Sequence, residues 1–526
     1  MWHRNKSNTH HHHQFHHDSN LKKETEYDER GTSGIPKLRD IPNFDQFLKI
    51  NPLALFSRSG LTESTSSFDS NDSYSPIGFL SHSSSSTELS RHSTFMEPSK
   101  SRFSSKRRSK AALPAWAIDQ NGLKPDITLD KILSSGNIFD FVKDKSGCDL
   151  LQNLFKSERN SDTKLKVIKV IVKNESDFVS TCSNTFGNYF MQEIIGSIPE
   201  HEEHLLDRVC ELLCKQMGEL CLEKCACRVI QKALDVFDLN RADQMIRKLP
   251  RDDKLVMICN DQNANHVIQK VVMKIPLEHW QFLVDPVTQS KLLEISQDKY
   301  GCRVIQTIIE ELSGEYAEGH SRGPRRELPP RTAAHREALE TVMSSIMRNC
   351  QELACNAFAN FIIQFILKAN GELLVKYRKE IINKCLLTNL LSMSQEKFGS
   401  HVVECAFGRA DRDDLKEMME EIFEGYVPHP VTEKDALDIM LFHQFGNYVV
   451  QRMIDICTIA VETNNDPIWR ATNIDWLRRI SKRVNKDKLR LMKFSSGKKI
   501  VESLERLKHI MDIVPYHKMG DAFAQY

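Results

Sequence analysis

The sequence predicts an all-α protein built as an array of stacked helical repeats, and three observations predict it. A six-residue block recurs eight times along the chain. Apolar residues between the blocks fall at helical spacing, as at Leu165, Ile168, Ile171 and Val172, from about residue 112 to about residue 512. Strand-like alternation bounded by turn residues is scarce over the same span.

The block consists of a small residue, then Asn, Cys or Ser, then (in all but the first) an aromatic or basic residue, two mostly apolar residues, and Gln or Glu. In order it reads GCDLLQ from Gly147, GNYFMQ from Gly187, ACRVIQ from Ala226 and ANHVIQ from Ala264. It continues as GCRVIQ from Gly301, ANFIIQ from Ala359, GSHVVE from Gly399 and GNYVVQ from Gly446. Its second position falls at 148, 188, 227, 265, 302, 360, 400 and 447, giving intervals of 40, 39, 38, 37, 58, 40 and 47 residues. Most of these match the length of an α-helical solenoid unit.

Taken from the N-terminus, residues 1–111 read as a disordered, low-complexity tail. They hold a histidine tract (His10 to His13, His16, His17), the serine run Ser83 to Ser86, and a basic end at Lys106, Arg107, Arg108 and Lys110. Such composition buries too little apolar surface to offset ordering entropy. The histidines could bind metal and the basic end could be a nuclear signal or an RNA contact; a solvated tail accounts for both. The repeat array then occupies residues 112–515, followed by a short tail, 516–526. The two long intervals mark insertions, one near 313–336 containing GHSRGPRRELPPR, the other near 424–433 containing a PHP turn. A solenoid tolerates both, because an insertion loops out from the stack.

Bulk composition limits the function classes. The chain is 40% hydrophobic and 27% charged with a formal net charge of +1, as suits a soluble globular protein. That net charge does not advertise a nucleic-acid partner, although a whole-chain average hides a local basic groove. The 14 cysteines are scattered, many in apolar helical stretches (Cys210, Cys214, Cys259, Cys385), the usage of a reducing compartment. Cys221, Cys225 and Cys227 come closest to a metal site, but no second ligand pair accompanies them and Cys227 belongs to a block, so neither metal nor cofactor is expected. No apolar run approaches ~18 residues and the N-terminus is polar, so neither a membrane span nor a signal peptide is expected. Catalytic motifs fail as well. The GKK at Gly497 lacks the upstream glycine of a P-loop, and His201, Glu202, Glu203, His204 is one residue short of HExxH. With no nucleophile elbow either, the expectation is a protein without catalytic chemistry of its own.

The fourth block shows what one repeat presents. At ~100° per residue, Asn265 and Gln269 share a helix face, with His266 beside them, while Val267, Ile268 and Val271 point into the stack. Each repeat thus offers two hydrogen-bonding groups next to a flat group. Single-stranded RNA is bound by such arrangements, with bases stacked on aromatic or guanidinium planes and read at their edges. A solvated helix face would explain any single block, but not Gln or Glu four residues after Asn, Cys or Ser in all eight.

These blocks closely resemble the second helices of Pumilio-type (PUF) repeats, and the resemblance covers about residues 112–515. It implies a right-handed α-solenoid of eight three-helix repeats and the one-base-per-repeat code for which that family is known. NGLKPDITLDKIL from Asn121 resembles the family's N-terminal capping half-repeat, and LRLMKFSSGKKIVESLERL from Leu489 its C-terminal cap. In the family, Asn with Gln selects uracil, Cys with Gln adenine, and Ser with Glu guanine. Carried over, Cys148/Gln152 implies A, Asn188/Gln192 U, Cys227/Gln231 A and Asn265/Gln269 U. Cys302/Gln306 implies A, Asn360/Gln364 U, Ser400/Glu404 G and Asn447/Gln451 U. Because the family binds RNA antiparallel, the implied element is 5′-UGUAUAUA-3′, with the fifth base read loosely. The implied stacking residues are Tyr189, Arg228, His266, Arg303, Phe361, His401 and Tyr448. Asp149 takes that place in repeat one, where a carboxylate stacks poorly.

The resemblance further implies a monomer that binds 3′ untranslated regions of mRNA and lowers translation or message stability, in the cytoplasm and its RNA granules. Implied partners are a deadenylase complex and Nanos-like or other co-repressors, the insertion near 424–433 being a candidate docking loop. Two other readings stay open at this level: a peptide-binding solenoid of armadillo or HEAT type, and a PUF-like ribosome-assembly factor with little sequence preference.

Overall fold

The computed structural model describes residues 113–513 apart from 252, 286–290, 316–330 and 432. The N-terminal tail, most of the first insertion and the C-terminal tail named above lie outside the described residues.

The eight recurring blocks open eight helices, here α1 (Lys145–Ser157), α2 (Gly187–Ser197), α3 (Ala226–Val236), α4 (Ala264–Lys274), α5 (Gly301–Ser313), α6 (Asn360–Lys368), α7 (Gly399–Phe407) and α8 (Gly446–Thr463). Each is the middle member of a three-helix unit. In repeat two a short helix, Glu175–Cys182, precedes α2, and a longer one, Glu203–Lys215, follows it. Repeat seven is built alike, with Leu390–Gln395, α7 and Arg412–Glu424. Repeat four departs from this, its third helix being only Leu277–Trp280 with a 3-10 turn at Gln281–Leu283.

Consecutive middle helices pack on one another from α1 to α8, so they form one unbroken row. The packing is apolar: in α4, Val267, Ile268, Val271 and Val272 are all buried, the inward face that the helical spacing predicts. Continuous burial of this kind from unit to unit is how a solenoid stabilises repeats too small to fold alone.

Five of the blocks open on glycine, and in four of these the choice has a steric cause. A Cβ on Gly301 would lie 2.2 Å from the Ile295 carbonyl oxygen, and one on Gly147, Gly187 or Gly399 within 2.9 Å of the carbonyl six residues earlier. The start of each middle helix abuts the end of the short helix before it.

Both ends of the array are covered. At the N-terminal end, Leu129–Ser135 contacts α1 and its two flanking helices. Its Thr128 N-cap accepts from the Lys131 N–H, and Gly136, at φ +70°, ends it in the left-handed conformation that glycine adopts freely. A two-residue antiparallel ribbon, Ile118–Asp119 with Gly122–Leu123, is the one piece of strand among the described residues. At the C-terminal end, Lys488–Leu491, Ser495–Arg506 and Lys508–Ile513 repeat the short, middle and third helices of a ninth unit. Its middle helix packs on α8, and a Cβ on Gly497 would lie 2.2 Å from the Leu491 carbonyl oxygen, as at Gly301.

The second insertion runs from Gly425, after Arg412–Glu424, to Asp435, where Ala436–Phe442 begins. Its entry is tied down at Tyr426, whose hydroxyl accepts the Leu391 N–H at 3.0 Å and donates to Glu421. Beyond that point Val427 and Val431 are 93% and 84% exposed.

Candidate nucleic-acid interface

The local fold that places the candidate residues begins one turn upstream. Before most middle helices an Asp, Asn or His side chain accepts backbone N–H groups two and three residues on. Asn184 Oδ1 takes those of Phe186 and Gly187, each at 2.9 Å, and Asp261 Oδ1 those of Asn263 and Ala264, each at 2.8 Å. Asp298, Asn356 and His443 do the same in repeats five, six and eight, and Asp144 caps Gly147 in repeat one. These caps satisfy donors that a helix start leaves unpaired. They were not singled out from sequence, although their constant place, three residues before the opening small residue, is a readable signal.

In the four asparagine repeats the main-chain carbonyl of the cap then fixes the first residue of the pair. Asn265 Nδ2 donates to the Asp261 carbonyl at 2.7 Å, and Asn360 Nδ2 to those of Asn356 and Ala357 at 2.8 and 3.0 Å. Asn188 and Asn447 are held in the same way. With the amide nitrogen turned to the backbone, each Asn Oδ1 faces its Gln. The Nε2–Oδ1 distances are 3.2 Å for Gln192–Asn188, 2.8 Å for Gln269–Asn265, 2.8 Å for Gln364–Asn360 and 3.0 Å for Gln451–Asn447.

In the cysteine repeats the thiol donates to a main-chain carbonyl at 3.3 Å: Cys148 to Phe186, Cys227 to Lys224, Cys302 to Lys299. Their glutamines turn differently. Gln152 Nε2 lies 3.5 Å from Cys148 Sγ, Gln231 donates to the Cys227 carbonyl, and Gln306 donates to the Phe361 carbonyl in the next repeat. In repeat seven Ser400 Oγ donates to the Lys397 carbonyl. Glu404 Oε1 is buried without a hydrogen bond, His401 Nδ1 being 3.4 Å away.

Burial follows one pattern through all eight repeats. The first residue of each pair is only 1–5% exposed, deeper than a helical wheel suggests. The Gln or Glu four residues on is half-buried. The group between them stands out, Tyr189 at 60% and Tyr448 at 47%, with Arg228, His266, Arg303 and His401 also exposed and Phe361 half-buried. Asp149 occupies this outward place in repeat one. In repeats five and six the outward groups meet, the Arg303 guanidinium lying 5.8 Å from the Phe361 ring centroid.

Burial also sets the protonation states. It pushes the Cys148, Cys227 and Cys302 thiols from an ordinary 9.0 up to about 11, so each remains a neutral S–H at physiological pH. Partial desolvation by its neighbours first, and then the Arg228 charge, holds His266 below the usual imidazole value, favouring the uncharged ring.

Fold and site together define a class: an α-solenoid whose middle helices carry a ladder of paired polar groups separated by flat platforms. The chain matches the Pumilio-family RNA binding repeat (PUF) at residues 137–172, 177–210, 216–249, 254–288, 291–318, 349–376, 389–423 and 442–460. It is 45% identical over 455 residues to Fem-3 mRNA-binding factor 1 of Caenorhabditis elegans, covering 83% of this chain and 73% of that protein. To Fem-3 mRNA-binding factor 2 of the same organism it is 45% identical over 445 residues, covering 82% and 69%. A crystal structure of PUF-6 in complex with 5BE13 RNA superposes with a TM-score of 0.66 at 37% identity, over 72% of this chain and 100% of that one. The chain belongs to the Pumilio family of RNA-binding repeat proteins. That membership replaces the armadillo or HEAT alternative.

Proposed function

We propose that the protein reads single-stranded RNA one base per repeat and that its element is 5′-UGUAUAUA-3′. The observation that carries this reading is the burial pattern shared by the eight repeats along one continuous row of helices. Each presents a fixed polar pair beside an outward group, Asp149 excepted. A base stacked on the outward group brings its edge over the pair.

The pairs Asn447/Gln451, Ser400/Glu404 and Asn360/Gln364 take U, G and U at the 5′ end. Cys302/Gln306 and Asn265/Gln269 take A and U in the centre, the latter at the position the family often reads loosely. Cys227/Gln231, Asn188/Gln192 and Cys148/Gln152 take A, U and A at the 3′ end. Repeat seven has the clearest chemical logic. A buried carboxylate oxygen without a donor is unfavourable, and guanine offers two N–H groups on its N1 and N2 edge. The bound RNA is an mRNA, as the names of the Fem-3 relatives suggest, and the element lies in its 3′ untranslated region. Binding lowers translation or message stability in the cytoplasm and its RNA granules, through a deadenylase complex and Nanos-like or other co-repressors. The loop at 425–435 is their docking site, its exposed Val427 and Val431 supplying apolar contacts.

Selection from a random RNA pool tests the base code. Enrichment of UGU followed by an A/U-rich stretch is the expected outcome. Enrichment of an unrelated motif, or none, would reject it.

A further inference from the structure

We infer that Thr307 is a positioning residue which makes the protein discriminate uracil from cytosine at the fifth base, the position the family resemblance leaves loose. The inference rests on the base-reading assignment above and deepens it for repeat four.

The reading amide of repeat four is held from two sides. Gln269 Nε2 donates to Asn265 Oδ1 at 2.8 Å within the repeat. Gln269 Oε1 accepts from Thr307 Oγ1 at 3.3 Å, across the boundary to repeat five. Thr307 is only 4% exposed and sits in α5 directly after Gln306, so its hydroxyl is fixed by packing. The corresponding residues after the other Gln or Glu positions are Asn153, Glu193, Lys232, Lys270, Phe365, Cys405 and Arg452. Of these, Cys405 donates to the Gln364 main-chain carbonyl at 3.9 Å rather than to its side-chain amide.

An amide can turn over, exchanging its oxygen for its nitrogen, and the two orientations offer opposite chemistry to a base. A hydroxyl donor on Oε1 and an acceptor on Nε2 together select one orientation. The remaining N–H of Gln269 then points outward as a donor. Uracil meets it with a carbonyl oxygen, whereas cytosine has an amino donor at that place. Two donors opposed leave a buried polar group unpaired, so cytosine is disfavoured. Without Thr307 only the Asn265 contact opposes turning the amide over to accept from cytosine, so the bias against cytosine is weaker.

The test measures affinities of the full chain for the UGUAUAUA element and for its fifth-base cytosine variant, with thermal melting of each protein as a check on folding. Thr307→Val should lower the uracil-over-cytosine ratio at the fifth base by roughly three- to tenfold, the worth of one hydrogen bond. It should leave the ratios at the third and seventh bases unchanged. Thr307→Ser restores the hydroxyl and should restore the ratio. Gln269→Ala separates the two levels of the argument. If Gln269→Ala removes the fifth-base preference and Thr307→Val does not, the Thr307 assignment is wrong while base reading stands. If the wild type has no such preference, or Gln269→Ala leaves it intact, the reading of repeat four is wrong and this inference with it. An equal loss at all positions in Thr307→Val would assign the residue a purely structural role and overturn the inference.

Discussion

At Ser400 and Glu404 the account is most exposed to a single experiment. The small serine and the carboxylate stand where repeats six and eight have Asn and Gln, at the same four-residue spacing on a middle helix. S400N/E404Q should therefore move the preference at the second base from G to U in competition binding, and unchanged selectivity would sink the assigned register. Repeat one offers a gain instead of a swap. Asp149→Tyr supplies a missing platform and should strengthen binding of the 3′-terminal base by up to roughly 1–3 kcal/mol; an affinity equal to wild type would argue against stacking there. The three reading thiols add a pH signature. Their values are raised on folding from 9.0 to about 11, so the stability they contribute is full below pH 9.0 and lost as pH rises through about 11. Denaturant midpoints across that window should fall, and fall less in Cys227→Ala. These side chains could be picked out from sequence because eight copies share one spacing. Their depth could not: the hydrogen bonds that bury each Asn run to carbonyls of the preceding turn, which a helical wheel does not represent.

On the scale of single helices, the opening glycine is a contact rather than a flexible joint. Gly301→Ala forces a Cβ against the Ile295 carbonyl, so about 1–3 kcal/mol of destabilisation is expected, read as a lowered melting temperature. Gly196, inside α2, is the control. Its Cβ would meet only the flexible end of Lys232, and Ala is the better helix former, so Gly196→Ala should be neutral or stabilising. The exposed part of the loop, from Val427 to Val431, lies between the anchoring Tyr426 and the capping Asp435: deleting it should leave RNA affinity intact and weaken co-repressor capture in a pull-down. Capture unchanged by the deletion would remove the docking role. Helix periodicity and the two long intervals made the elements legible in the sequence. The shortened third helix of repeat four and the Asp, Asn and His caps were not, because a cap acts through one local hydrogen bond and leaves no apolar period.

For the whole molecule, repetition itself carried the fold: eight blocks in register specify a stack before any contact is known. The ninth unit at Lys488–Ile513 went unrecognised as a repeat from sequence, where it read only as a cap. Its Gly497, Lys499 and Glu502 fit the block in spacing and type, and Lys498 alone departs, standing where the block has Asn, Cys or Ser; the packing of its middle helix on α8 shows the same kinship. The central claim, that this row of helices reads bases, is tested most directly by fluorescence anisotropy of the full chain with UGUAUAUA RNA and with the same RNA carrying ACA in place of UGU. Tight binding to the first with a large loss on the second is the predicted result. Equal binding to both, or none to either, would contradict it.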